Sequence, residues 1–168
     1  MSQKGRRYPL KLKEAKEILR KASNRLGIDL DSFMGSASLM EVIDYEKVRV
    51  FIINGTPLLF EDETNLLPTL LFSEALNKLP RIVVDMGAVP YVCKGADVMA
   101  PGIVRIENEF KAGQIVVVSD MKYGKLLSLG EAMVDSVKAR TMKKGPVARN
   151  LHYISDRFWQ LLKTLGFT

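Results

Sequence analysis

Short strand-like runs separated by turns fill the second half of the chain and constrain its fold more than any other feature. Runs rich in β-branched and apolar residues stand at 82–84, 88–93, 103–106, 115–118, 126–132 and 148–154. Gly, Pro and charged residues lie between them. Strands this short, recurring about every ten residues, favour a small barrel or sandwich.

Helices are predicted at three places around these runs. Asp135 is suited to cap a helix over residues 136–143 that ends before Gly145. Apolar residues at helical spacing predict a closing helix over residues 155–165. A short helix is also predicted to begin near Gly95. The second half is therefore predicted to be rich in strands, with short helices between and after them.

The first half has a different pattern, in which helices flank a hairpin. Apolar residues at steps of three or four predict a helix over residues 8–25 that Gly27 ends, and a second helix over residues 65–77. Between the two helices, strands are predicted at 39–43, 48–53 and 56–60. Asn54-Gly55 joins the last two strands and is a strong hairpin signal.

The change of pattern places a domain boundary near residue 80. We therefore predict an α+β protein with two domains. Residues 1–79 form a small N-terminal α+β domain, and residues 80–168 form a β-barrel domain with short helices.

Charge is unevenly distributed along a chain whose formal net charge is +6. Residues 1–26 hold nine basic and two acidic residues, residues 27–79 hold three and nine, and residues 80–168 hold thirteen and eight. The basic ends attract polyanions through Coulomb steering and counterion release, so nucleic acid is a candidate partner. The acidic middle is suited to dock a basic protein.

No catalytic constellation emerges from the sequence. The chain has no Gly-rich phosphate loop and no G-x-S-x-G elbow, and its one histidine, His152, lies in a predicted strand. The lone Cys93 is expected to be a core thiol, and one Cys with one His is too few for a structural zinc site. We expect a protein that is not an enzyme and has no cofactor or metal. The lone Cys and the absence of a long apolar run or secretory signal favour the cytoplasm and no membrane partner.

The most informative stretch is residues 94–103, where two glycines and a proline surround two apolar side chains. Gly95 and Gly102 allow positive φ or the close approach of another backbone. A phosphate or ribose fits against such a surface through its exposed N–H groups. The same composition is also compatible with a plain tight turn.

This stretch, Lys94-Gly95-Ala96-Asp97-Val98-Met99-Ala100-Pro101-Gly102-Ile103, strongly resembles the signature of PUA domains. Such domains are pseudobarrels that bind structured RNA, often at tRNA ends or stems. Other segments resemble, in the same order, the malignant-T-cell-amplified-sequence and ligatin-like translation factors, which place a small α+β domain before a PUA barrel. These segments are Ile53-Asn54-Gly55, Leu58-Leu59-Phe60, Leu67-Pro68-Thr69-Leu70, Val84-Asp85-Met86-Gly87-Ala88 and Asn150-Leu151-His152-Tyr153.

The resemblance implies an RNA-binding protein that acts in translation, in initiation or recycling, and binds a tRNA end, the small ribosomal subunit or both, so its RNA partner is tRNA or rRNA. It also implies a partner with an initiation-factor-like domain, and the short N-terminus favours an archaeal version. The positions that match the PUA groove are Lys94, Gly95, Ala96, Asp97, Met99, Pro101 and Gly102.

Basic residues elsewhere in the second half are further candidates for phosphate contacts. Tyr123 lies among lysines, where its ring is suited to stack on an unpaired base or to pack on the barrel. The basic candidates, each also compatible with solvated surface charge, are Lys122, Lys125, Lys138, Arg140, Lys143, Lys144 and Arg149.

Two other functions fit the same sequence. A PUA barrel without catalytic residues suits the specificity subunit of an RNA-modifying enzyme, which a stable catalytic partner would reveal. A protein-interaction module would use the acidic residues 27–79 to dock a basic partner. Salt distinguishes this interaction module, whose apolar interface should hold, from phosphate-driven RNA binding, which weakens steeply as the salt concentration rises.

Overall fold

The structure is a computed structural model that describes residues 5–33 and 39–168. The chain forms two compact units, of which the first extends to Leu76 and the second comprises Asn77–Gly166. Within the described residues, no helix has the length and apolar character needed to cross a lipid bilayer.

The first unit is an antiparallel sheet whose strands lie side by side in chain order. Its strands are β1 (Arg6–Pro9), β2 (Met40–Tyr45), β3 (Val48–Ile53), β4 (Thr56–Glu61) and β5 (Leu66–Pro68). Its helices are α1 (Leu12–Leu26) and the short α2 (Ser73–Leu76). The predicted hairpin is confirmed, because Asn54 and Gly55 have φ values of 50° and 86°, which the tight turn between β3 and β4 requires.

Helix α1 begins later than the sequence predicts. Residues 6–9 pair with β2 as an edge strand, and the Tyr8 hydroxyl donates to Asp44 Oδ2 at 2.8 Å. Pro9 is tolerated there because an edge strand does not need every N–H group. The helix ends as predicted at Gly27, whose φ of 69° lets its N–H donate to the Ser23 carbonyl.

The helix predicted over residues 65–77 is wrong. Residues 66–68 instead pair with β4, and only Ser73–Leu76 are helical. Pro68 lacks the N–H that a helix interior needs, whereas an edge strand accepts it. Of the apolar residues that gave the helical pattern, Leu67, Ala75 and Leu76 are fully buried in the unit's core, whereas Leu66 and Leu71 are only partly buried.

The second unit is a six-stranded sheet in the order β7-β11-β10-β9-β6-β8, in which only β6 and β9 run parallel. Its strands are β6 (Arg81–Val84), β7 (Val98–Met99), β8 (Ile103–Glu107), β9 (Ile115–Asp120), β10 (Leu126–Ala132) and β11 (Pro146–Tyr153). Its helices are α3 (Val89–Val92), α4 (Ser136–Ala139) and α5 (Arg157–Thr164). The sheet closes over a core that consists mostly of valines and alanines, with Ile82, Phe110 and Leu127 among them.

Three local predictions in this unit need correction. Residues 88–93 are not a strand but contain α3, because the Asp85 carboxylate accepts the Ala88 N–H at 2.9 Å and fixes the turn before the helix. No helix begins at Gly95, since the next helical turn is the 3₁₀ turn Ala100–Gly102. Helix α4 ends at Ala139 rather than at residue 143.

Candidate nucleic-acid interface

An open groove of about 440 Å³ lies between α3, β7 and the 3₁₀ turn that follows β7. Its walls are mostly apolar, and its charged lining groups are two carboxylates. The lining residues are Val84, Asp85, Gly87, Ala88, Tyr91, Val92, Ala96, Asp97, Val98, Met99, Pro101 and Gly102. Tyr91 and Met99 are largely open to solvent, with exposed fractions of 69% and 46%. The groove therefore offers an apolar and aromatic surface with an acidic edge.

Asn150 on β11 holds one wall of the groove in place. Its side-chain amide donates to the carbonyls of Val92 at 3.0 Å and Ala96 at 3.1 Å, and its backbone N–H donates to Asp97 Oδ1 at 3.1 Å. These bonds fasten the loop after α3 to a strand more than 50 residues away in sequence. The sequence prediction did not include Asn150 in the site. Its signal was its place in the segment 150–153, which carries part of the family resemblance and lies in a predicted strand.

The two glycines of the signature have different positions. Gly102 lines the groove, and a Cβ added there would lie 3.0 Å from the Ala88 Cβ, so a side chain at this position would crowd the facing wall. Gly95 has a φ of 94° and does not line the groove. A Cβ there would lie 2.9 Å from Tyr153 Cε1, so Gly95 shapes the loop by packing against that ring.

The signature residues are therefore only partly in one place. Ala96, Asp97, Met99, Pro101 and Gly102 line the groove, whereas Lys94 and Gly95 lie in the turn before them. The lining also includes residues that the sequence prediction left out, among them Asp85 and Tyr91.

A turn at residues 121–125, here named the basic turn, is built around the buried carboxylate of Asp120. This carboxylate accepts the N–H groups of Lys122, Tyr123 and Lys125. These bonds, that from Tyr123 above all, hold the pKa of the Asp120 carboxyl below its ordinary value, although desolvation opposes them. The carboxylate therefore fixes the backbone of the turn, whose residues 121–125 are all exposed.

The basic turn lies beside the groove. The Met121 N–H donates to the carbonyl of Val84, a lining residue, at 2.9 Å. Burial raises the pKa of the Cys93 thiol at the end of α3, and the positive charge of Lys125 partly opposes that rise. Tyr123 is 73% exposed, with the Lys122 Nζ 5.2 Å from its ring centroid.

The basic candidates farther along the chain differ in their ion pairs. Arg140 contacts Glu109 Oε1 at 2.6 Å, and Arg149 contacts Glu131 Oε1 at 3.1 Å. These two residues, here named the arginine pair, are therefore partly neutralised. Glu109 is itself held charged, because the Ser136 hydroxyl first and Arg140 second keep the pKa of its carboxyl low.

Lysines in the same stretch have no such partner. In the described residues, Lys138, Lys143 and Lys144 form no ion pair, and all three are exposed. Of these three lysines, Lys144 directly precedes the residues that contact one wall of the groove. The Gly145 carbonyl accepts the Ala100 N–H at 2.8 Å, and Pro146 pairs with Met99. Lys94, Lys122 and Lys125 are also free of ion pairs in the described part of the chain.

His152 and Cys93 have structural surroundings. The His152 ring is fully buried, its Nδ1 lies 2.7 Å from Asp156 Oδ2, and it makes a T-shaped contact with the Phe158 ring. Asp156 also accepts the Trp159 N–H and so caps α5. Cys93 is half-buried at the end of α3, not in the strand that the sequence predicts. Neither side chain lines the groove.

The groove and its flanking lysines belong to a recognisable domain. Residues 80–154 match the PUA domain family, and residues 6–78 match a domain of unknown function, DUF1947. A protein from Methanocaldococcus jannaschii described as uncharacterised, MJ1432, is 30% identical over 155 residues, which cover 92% of this chain and 95% of that protein. The chain belongs to this family of DUF1947–PUA proteins.

Other relatives of this DUF1947–PUA protein agree with the family. Translation machinery-associated protein 20 of Saccharomyces cerevisiae is 27% identical over 77% of this chain and 76% of its own. Malignant T-cell-amplified sequence 1-B of Xenopus laevis is 30% identical over 70% of this chain and 67% of its own. The predicted resemblance is thus confirmed at the level of the family.

A solved structure confirms the fold class. The hypothetical protein PH0734.1 of Pyrococcus horikoshii superimposes with a TM-score of 0.76 at 30% identity, over 93% of this chain and 99% of that one. The α+β fold with a PUA barrel after a smaller α+β region is therefore confirmed. Because a PUA domain is an RNA-binding module, RNA is the partner class of this family.

Proposed function

We propose that this protein is a non-catalytic RNA-binding factor of translation that holds the single-stranded 3′ end of a tRNA at the PUA groove. The observation that carries the proposal is the juxtaposition of an open apolar groove with a basic turn whose lysines have no ion-pair partners among the described residues. The likeness to translation machinery-associated protein 20 supports a place in translation.

The two parts of the site suit two parts of an RNA strand. A base stacks favourably on an aromatic or apolar surface such as that of Tyr91 and Met99, and base–aromatic stacking tolerates any base. Phosphates need cations, which are absent from the described lining but stand beside it in the basic turn. The strand therefore places an unstacked end in the groove and its backbone along Lys122 and Lys125.

Further contacts extend the proposed interface. Lys94, Lys138, Lys143 and Lys144 are exposed and free of ion pairs in the described residues, so they are available to more distant phosphates. The small ribosomal subunit and a protein with an initiation-factor-like domain are the proposed partners, in the cytoplasm. We propose that residues 80–168 bind the RNA end and that residues 1–79 form the separate domain before them.

Fluorescence anisotropy with labelled tRNA tests this function. The purified protein is titrated into intact tRNA and into the same tRNA lacking its 3′ CCA, over a series of salt concentrations. We expect binding that weakens steeply with salt and is lost or much reduced without the CCA. Binding that ignores the end would move the ligand to a stem or to rRNA, and no binding to either tRNA would contradict the proposal.

A further inference from the structure

The polar lining of the groove is acidic although the unit that contains it is basic. Asp85 and Asp97 are the only charged residues among the described ones that line the groove. Each carboxylate has one oxygen engaged by the protein, since Asp85 Oδ1 accepts the Ala88 N–H and Asp97 Oδ1 accepts the Asn150 N–H. In the described part of the chain, the second oxygen of each has no hydrogen-bond donor.

This arrangement restricts what the groove accepts. An ionised carboxylate only accepts hydrogen bonds, so it attracts hydroxyl and amino groups and repels a phosphate. An internal nucleotide brings a phosphate on each side of its ribose, whereas the 3′-terminal nucleoside has a phosphate on its 5′ side alone. Its ribose offers two hydroxyl donors, and carboxylates bind ribose hydroxyls in dinucleotide sites in the same manner.

We infer that Asp85 and Asp97 make the groove selective for an RNA 3′ end that carries free hydroxyls and exclude an end that carries a phosphate. The terminal base lies on the apolar wall, the terminal ribose faces the carboxylates, and the preceding phosphates lie toward the lysines of the basic turn. The groove volume of about 440 Å³ is within the range of pockets that hold small molecules, roughly 300–1,000 Å³. This inference rests on the proposed function and adds a residue-level basis for its specificity.

The test compares one RNA with different ends. A hairpin that ends in single-stranded CCA is prepared with a 3′-hydroxyl, with a 3′-phosphate and with a 2′-deoxy terminal ribose, and affinities are measured by anisotropy at one moderate salt concentration. The wild-type protein is expected to bind the 3′-hydroxyl form roughly tenfold or more tightly than the 3′-phosphate form, because like charges are brought together only in the latter. The 2′-deoxy form loses one donor and is expected to bind less tightly than the 3′-hydroxyl form by a smaller factor.

Two variants and a matched control assign the selectivity. Asp85→Asn and Asp97→Asn keep an oxygen that can accept the existing backbone N–H bonds while removing the negative charge. Each is expected to reduce the ratio of the affinity for the 3′-hydroxyl form to that for the 3′-phosphate form. Glu63→Gln makes the same change in net charge at an exposed position of the first unit, so it is expected to preserve the preference. Circular dichroism verifies that each variant is folded.

The outcomes separate the inference from the proposed function. Equal wild-type binding of the 3′-hydroxyl and 3′-phosphate forms would overturn the inference and leave RNA-end binding intact. A preference that both Asn variants retain in full would also overturn it, because the carboxylates would not be its cause. Failure of every form of the RNA to bind would contradict the proposed function itself. The wild-type comparison decides the selectivity even if a variant does not fold.

Discussion

The basic turn and the arginine pair both carry positive charge, but they differ in whether that charge is already paired with a carboxylate. Lys122 and Lys125 extend from a backbone fixed by the buried Asp120, and neither is in an ion pair within the described residues. Arg140 and Arg149 are matched by Glu109 and Glu131. Sequence treats these cations as equivalent, whereas the structure separates those that are free to bind phosphate from those already engaged.

Removing the two charges of the basic turn is expected to have the largest effect on RNA binding. Lys122→Gln with Lys125→Gln should weaken tRNA affinity roughly tenfold or more, because each lysine gives up a charge-assisted phosphate contact. The slope of log affinity against log salt concentration should fall by about one for each lysine. Anisotropy over a salt series measures both quantities, and an unchanged slope would remove the basic turn from the interface.

Loosening the turn without removing its lysines is expected to lower the stability of the fold rather than to remove a phosphate contact. Asp120→Ala leaves the N–H groups of Lys122, Tyr123 and Lys125 without their acceptor, and should lower the free energy of unfolding by about 1–3 kcal/mol. Urea denaturation measures this loss. Wild-type stability in this variant would show that the carboxylate does not organise the turn.

Lowering the pH should reveal the contribution of the same carboxylate to stability. Because the folded protein depresses the pKa of Asp120, its contribution to stability is present above the unfolded value of about 3.9 and is lost as the pH falls through the folded value. The stability difference between the wild type and Asp120→Asn should therefore narrow as the pH decreases below about 4. Urea denaturation at several pH values follows this difference, and a gap that widens in acid would contradict the assignment.

The smallest effect is expected at the arginine pair. Arg140→Gln with Arg149→Gln makes the same change in net charge as the lysine double variant, yet should change tRNA affinity by only about twofold, since exposed ion pairs already occupy both guanidinium groups. The two double variants are measured side by side at each salt concentration. Equal losses of affinity would show that overall charge, not the position of the lysines, drives binding.

The sequence predicts the elements of this fold where local pattern and tertiary packing agree. The Asn54-Gly55 hairpin and most strands of the barrel are of this kind, because a period of two and turn residues act locally. The helix predicted over residues 65–77 and the strand predicted over residues 88–93 were wrong. Apolar residues are equally suited to a buried strand and a buried helix, and only packing decides between them.

The candidate site was predictable to the same extent. The signature segment forms one wall of the groove. Five of the positions predicted from it, all within Ala96–Gly102, line the groove. Asp85, Tyr91 and Asn150 were not assigned to the site because only the fold brings them to this segment. Asn150, for example, bonds Ala96 and Asp97 from more than fifty residues away. Ion pairing such as that of Arg140 with Glu109 is equally invisible before the fold is known.

The most direct test of the central claim is an NMR titration of the isotopically labelled protein with an RNA hairpin that ends in single-stranded CCA. The account predicts that the largest amide shifts cluster at Ala96, Asp97, Met99 and Gly102 and in the basic turn, with little change at the arginine pair. Shifts that concentrate at Arg140 and Arg149, or in the first unit, while the groove residues stay unperturbed would contradict the claim that this groove holds the RNA end.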